Sequence, residues 1–247
     1  RSTLFPYTTL FRSASIGISA FAYCTNLTTA SFPSATNISS YAFYFCSNLT
    51  TVSFPLVTSI GANAFQFCSS LTTIDFPLVI SIGGYAFNNC YNLTTASFSS
   101  ATSIGTNAFN GCIGLTTIDF PLVTSIGASA FNGCIGLTTI DFPLVTSIGT
   151  NAFRNCSNLT TVYFLSSLIS SIYSYAFRNC YNLISLYLTE VSKVPTLSPS
   201  SVFYSTPIGG YSTSAGQYGS IYVPASLYSS FIIATNWKSF SNRMVSV

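Results

Sequence analysis

The chain has 247 residues, 49% of them hydrophobic and only 4% charged, with seven Lys or Arg, four Asp or Glu and no His. No stretch approaches the roughly 18 uninterrupted apolar residues of a membrane-spanning helix, because Ser, Thr and Asn break every run, so we expect a soluble body with no membrane insertion. The formal charge of +3 falls to +1 when Arg1 and Arg12 are set aside, and no Lys/Arg stripe is present to neutralise phosphates, which argues against a nucleic-acid partner.

The lack of His removes the commonest general base and every Ser/His or Cys/His nucleophile pair, and neither GxGxxG nor a phosphate loop occurs. We expect no enzyme and no cofactor. Zinc is disfavoured too, since no His and no CxxC pair completes a tetrahedral set.

In chain order, residues 1–13, RSTLFPYTTLFRS, break the repeat register that follows and resemble the translation of sequencing-adapter read-through. We expect segment 1–13 to be non-native, with the native N-terminus and any signal peptide or capping repeat missing from this sequence.

A fixed period then takes over. Eighteen residues, NGCIGLTTIDFPLVTSIG, at 110–127 return unchanged at 132–149, a shift of 22. Cys24, Cys46, Cys68, Cys90, Cys112, Cys134 and Cys156 keep the same spacing, and Cys180 follows after 24. Such a period marks a solenoid, whose single coils cannot close a core and must bury their apolar residues against neighbouring coils. We assign it residues 14–188.

The unit is clearest at 71–90, LTTIDFPLVISIGGYAFNNC. Ile74 and Phe76 share one face of a short strand of about five residues, with Leu71 before them and Thr73 and Asp75 pointing out. Pro77 lacks the N–H to continue a ladder, and Pro33, Pro55, Pro121 and Pro143 end their strands likewise. Val79 and Ile82 then face inward, while Ala86, Phe87 and Cys90 are spaced like one side of a single helical turn on the convex side. The cysteines form one column, read as buried free thiols. Asn26, Asn48, Ser70, Asn92, Gly114, Gly136, Asn158 and Asn182 precede the strand Leu residues, and nearly all are types that tolerate positive φ, so a left-handed turn is expected there.

Strand Leu, Ile and Phe, then Pro, SIG, AF and Cys before the next Asn-Leu: this order resembles the BspA-like leucine-rich-repeat family from about Ile16 to Leu188. The resemblance implies an α/β leucine-rich-repeat solenoid, with a curved parallel sheet of eight short strands and short helical turns on the convex side. It also implies a cell-surface or secreted adhesion protein of the kind found in host-associated bacteria and some protists, whose partner is a host extracellular-matrix protein or a glycan. Ser99 and Leu165 depart from the pattern in place of Pro, and two extra residues lie between Phe164 and Phe177.

Residues 189–247 leave the register and are expected to form an irregular final coil and a C-terminal cap, similar to caps in the same family. Within them GSIYVP, 219–224, reads as a strand ended by Pro and 225–234 as a short helix, with Trp237, Phe240 and Met244 available to cover the last coil.

Three of the four acids, Asp75, Asp119 and Asp141, share one outward strand position. Coil spacing predicts Asp119 and Asp141 about 5 Å apart. That separation suits a hard cation such as calcium, or the carboxylate pair of a retaining glycosidase. Both residues lie in the duplicated stretch, so a solvated face produced by copying is the plainer reading. The column continues as Tyr163 and Tyr187, beside a column of Thr that includes Thr117, Thr139 and Thr161. Regular Thr columns also suit ice binding, although Asp interrupts this array. We expect Asp119, Asp141, Tyr163 and Tyr187 to form a ligand-binding patch on the concave sheet, serving noncatalytic recognition of a protein or glycan. The alternative is a structural spacer arm of a larger surface or phage-tail protein.

Overall fold

A computed structural model describes residues 9–10, 13–211 and 216–247. The reading of segment 1–13 as non-native falls largely outside the described residues; within it, Thr9–Leu10 pairs in parallel with Thr29–Ser31. The chain divides into two compact units, 1–121 and 122–247. Both are parallel-strand solenoids built from the same coil.

In the first unit the strand row consists of Thr29–Ser31, Thr51–Ser53, Thr73–Asp75, Thr95–Ser97 and Thr117–Asp119. Alternation does what the sequence pattern requires: Ile74 is buried while Thr73 and Asp75 are exposed. The strands run three residues, shorter than the expected five, for a local reason. The Leu71 N–H is already committed to Cys68 C=O in its own coil, and Pro77 has no N–H to give.

The return path carries a second ladder that the sequence did not announce. Asn37–Ile38, Ser59–Ile60, Ser81–Ile82 and Ser103–Ile104 pair in parallel and in register, Ile beside Ile. Glycine follows three of these strands because successive coils nearly touch there: a Cβ on Gly83 would lie 2.6 Å from the Gly61 carbonyl carbon. Ser39 holds the same place in another coil, so the close approach is local.

The convex turns are not helices. In the coil of Phe87, the N–H groups of Ala86, Asn88 and Cys90 bond back to Gly83, Tyr85 and Phe87 C=O at 3.3, 3.1 and 3.2 Å. The intervening N–H groups of Tyr85, Phe87 and Asn89 bond instead to Thr106, Ala108 and Asn110 C=O of the next coil, at 2.9, 2.8 and 2.8 Å. A helical turn would aim every amide along its own axis. Turning alternate amides outward requires left-handed residues, and Tyr85 and Asn89 both have φ of 59°. The expected left-handed turn before each Leu is thus corrected: Asn26, Asn48 and their equivalents are not at positive φ, which occurs at Tyr41, Phe45, Asn63, Phe67 and the matching positions of other coils.

Two columns of Phe fill the interior. Phe43, Phe65, Phe87 and Phe109 stack at 5.1 to 5.3 Å with planes within 8° of parallel, and Phe54, Phe76, Phe98 and Phe120 form a second column at 5.3 to 6.0 Å. Cysteine sits beside them because a small apolar side chain with one weak donor fits the remaining space. Phe43 C=O accepts the Cys46 N–H of its own coil and, at 3.2 Å, the Cys68 thiol of the next, and Cys90 and Cys112 repeat the arrangement.

The second unit repeats the plan. Thr139–Asp141, Thr161–Tyr163, Ser185–Tyr187, Ser220–Val223 and Met244–Ser246 form one parallel sheet. Ser125–Ile126, Ser147–Ile148, Ser171–Ile172 and Thr196–Leu197 form this unit's own return ladder. The strand read from GSIYVP is therefore present. After it come a 3-10 turn, Ala225–Leu227, and a short helix, Tyr228–Ile233. Trp237, Phe240 and Met244 are buried, and the Trp237 indole N–H donates to Pro195 C=O at 2.7 Å.

None of the eight cysteines is in a disulfide, and only Cys24 is not buried. Burial pushes the Cys46, Cys112 and Cys156 thiols up to about 12, and Cys68, Cys90 and Cys180 well above the ordinary range. A thiol reagent at neutral pH should therefore titrate Cys24 in the native chain and the other cysteines only on unfolding; several rapidly reacting native thiols would contradict this packing. Folded thiols keep protons that unfolded ones release near 9. The stability they contribute is complete below that pH and is lost as pH rises towards about 12, which a series of alkaline melting curves checks.

Candidate functional site

The strands point their first and third side chains outward, so each third residue faces away from the core. In the second unit those third positions align as Asp141, Tyr163, Tyr187 and Tyr222. The tyrosine rings stack: Tyr163 on Tyr187 with centroids 4.8 Å apart and planes 14° from parallel, and Tyr187 on Tyr222 at 4.4 Å and 7°. Strand spacing of about 4.8 Å is also the preferred separation of offset aromatic rings, so the sheet itself sets the stack. The three rings are half-buried, whereas Asp141 beside Tyr163 is exposed.

The structure therefore brings Asp141, Tyr163 and Tyr187 together and adds Tyr222, which sequence reasoning missed. Its signal was available: GSIYVP reads as a strand, and Tyr222 is the third residue of the strand Ser220–Val223 that forms there. Asp119 belongs to the first unit, where its strand is in register with Ser97 and, through that strand, Asp75.

Environment tunes these groups modestly. Partial burial raises the Asp141 carboxyl above its ordinary value. Tyr187 is raised first by partial burial and then by the neighbouring Tyr222. Neither effect creates a nucleophile, and the protonated buried thiols supply none. Among the described residues no three His, Cys, Asp or Glu side chains gather to hold a metal ion. What the surface offers is a strip of ring edges and phenol hydroxyls with a carboxylate at one end, an arrangement for contact and hydrogen bonding.

The strand row of the first unit has a break. Thr50, Thr94 and Thr116 each donate their N–H to a Thr carbonyl of the coil before, at 2.8 to 3.0 Å. No such bond joins Thr72 to Thr50, and Thr51–Ser53 and Thr73–Asp75 lie in separate ladders. A cleft of about 370 Å3 opens there, lined by Ser53, Pro55, Thr73, Asp75, Pro77 and Thr95 among others.

Residues 11–113 and 102–212 match the BspA type leucine rich repeat region, with six copies of the repeat. The chain belongs to this BspA-type family. Such leucine-rich-repeat proteins are generally binding modules and typically noncatalytic. No curated protein matches the chain. Among solved structures it is similar to the Treponema pallidum leucine rich repeat protein TpLRR, at 26% identity over 54% of this chain and 75% of that one, with a TM-score of 0.47. It is also similar to a leucine rich cell surface protein of Faecalibacterium prausnitzii, at 23% identity over 94% and 82% of the two chains and a TM-score of 0.37. The pneumococcal vaccine antigen PcpA shares the fold at 17% identity, with a TM-score of 0.55 over 97% of this chain and 67% of that one.

For this BspA-type chain the tyrosine stack has a measurable energy. Tyr187 takes part in both stacked pairs, each worth about 0.5–1.5 kcal/mol. Tyr187→Ala should lower unfolding free energy by about 1–3 kcal/mol in urea denaturation, whereas Tyr163→Ala, which removes one pair, should cost about half as much. Equal losses for the two variants would contradict a stack centred on Tyr187.

Proposed function

We propose that this BspA-type chain is a noncatalytic recognition module that engages a protein or glycan at a cell surface through its exposed strand face. In the second unit Asp141, Tyr163 and Tyr187 are the contact residues, with Tyr222 extending the strip, and Asp119 is a contact residue of the first unit's own strand row. The observation that carries this reading is the Tyr163–Tyr187–Tyr222 stack. Tyrosine supplies large contact area at little cost in side-chain freedom, and a half-buried stack holds three such rings rigid before any partner arrives.

The likeness to a protein described as cell-surface in Faecalibacterium prausnitzii supports the setting, and the near absence of charge on the chain favours contacts made by hydroxyls and rings over salt-dependent attraction. The partner class is a host extracellular-matrix protein or a glycan.

The test is binding of the full chain to immobilised matrix proteins and glycans, with and without calcium, alongside the triple variant Tyr163→Ala, Tyr187→Ala, Tyr222→Ala. Saturable binding that weakens about tenfold or more in the variant is the expected result. Saturable binding unchanged in a folded variant rules this strip out, and no saturable binding by the folded chain favours the spacer-arm role.

A further inference from the structure

The turn row of the first unit carries large exposed rings where folding calls for something smaller. The exposed Tyr23, Tyr41, Phe45 and Tyr85 and the half-buried Phe67 all have φ between 59° and 63°, a left-handed conformation that is a genuine outlier for a bulky side chain. Other coils fill the same two positions with Asn63, Asn107 and Asn151, or with Asn89, Gly111, Gly133 and Asn155, at the same φ sign. Asn and Gly accept that conformation readily. Burial does not offset the strain, because Tyr23 is 61% exposed and Tyr41 42%. Exposed bulk held in strained backbone points to use by something outside the chain.

The rings are arranged as walls. Tyr44 meets Tyr23 edge to face at 5.3 Å and 79°, and meets Tyr41 at 5.6 Å and 67°. Together they line a cavity of about 350 Å3, completed by Ser19 and Ala22. None of these lining residues carries a charge. A pyranose ring stacks on one flat face, whereas a rounded cation gains from several faces at once, each presenting its negative quadrupole. Walls standing at steep angles to one another suit the second occupant.

The second unit supplies a working comparison. Tyr175 stands in its coil where Tyr41 stands, two residues before the core Phe, and also has φ of 60°. Arg178 replaces the equivalent of Tyr44, and its guanidinium lies over the Tyr175 and Tyr204 rings, 5.2 Å from each centroid. There the chain provides its own cation between tyrosines of the turn row. In the first unit a third tyrosine takes the place of that cation, and the cavity opens to solvent.

We propose that Tyr23, Tyr41 and Tyr44 form a binding site for a weakly hydrated organic cation, a quaternary ammonium or guanidinium group. The site is independent of the tyrosine strip on the strand face. The cation is held by ring faces alone, so strongly hydrated sodium does not compete, and the neutral lining sets no requirement for a carboxylate.

The test titrates the full chain with tetramethylammonium chloride, methylguanidinium chloride, methyl glucoside and sodium chloride, following tyrosine ring resonances by NMR. Both organic cations should shift the Tyr23, Tyr41 and Tyr44 rings saturably, with dissociation constants on the order of 1–10 mM, and the glucoside and sodium should not. Tyr44→Leu should weaken binding by about tenfold or more. The pair Tyr23→Asn and Tyr41→Asn should abolish it while leaving the melting temperature unchanged or raised, since Asn suits positive φ; a merely structural role for these rings predicts a lower melting temperature. Tyr85→Asn, outside the cavity, should leave cation affinity unchanged. No saturable shift in the wild-type chain, binding retained by the Asn pair, or binding of the glucoside in place of the cations would overturn the proposal. If Tyr44→Leu fails to fold, the Asn pair decides alone.

Discussion

The structure depends on backbone amides that alternate in direction through the turn row. One N–H closes the turn within its coil and the next reaches the following coil, as at Ala86 and Phe87, so coil is tied to coil through the turn row. This geometry explains the need for left-handed residues there, the parallel stacking of Phe65 on Phe87 beneath it, and the carbonyl left able to accept a thiol from the next coil. A single coil of 22 residues has no core of its own. It becomes stable only when these bonds and the Phe columns are completed by a neighbour.

Much of this was legible in the sequence. Leu71, Ile74, Phe76, Val79, Ile82, Ala86, Phe87 and Cys90 were all placed inside from spacing alone, and all are buried. The 22-residue period made that easy, because each apolar position could be read many times over. The turn row was harder. Ala, Phe and Cys spaced as they are in 86–90 are compatible with one helical turn, and side-chain spacing does not reveal which way an amide points. The left-handed positions were hidden because Tyr41, Asn63, Tyr85, Asn107 and Ser129 share one column. Asn alone would have marked it, and the aromatics masked the signal. The Asn residues before each Leu looked like the better candidates, yet Asn182 instead uses its side chain, donating to Ser157 C=O at 2.9 Å.

For the candidate site, the sequence supplied a column of residue types and the structure supplied contact. Tyr163 and Tyr187 were visible as one outward column, but period counting stopped at Leu188, and the cap strand that brings Tyr222 into the stack lies outside the repeat. The break between Thr51–Ser53 and Thr73–Asp75 had no sequence signature, since both coils carry the full strand and Pro pattern. The surfaces thus differ in kind along a regular scaffold. Identical backbone coils present tyrosine stacks, hydroxyl-lined clefts or aromatic walls according to the few side chains that point outward, which is how a repeat fold acquires distinct binding faces without altering its core.

The central claim, that the turn row is bonded between coils and is not helical, is tested most directly by residue-resolved amide hydrogen exchange in the native chain. The account predicts that Phe43, Phe65 and Phe87, whose N–H groups donate to Ala64, Ala86 and Ala108 C=O at 2.7 to 2.8 Å, exchange as slowly as the strand amides of Ile74 and Ala96. Fast exchange at these three Phe, with protection confined to Ala42, Ala86 and Ala108 whose bonds close within one coil, would contradict it.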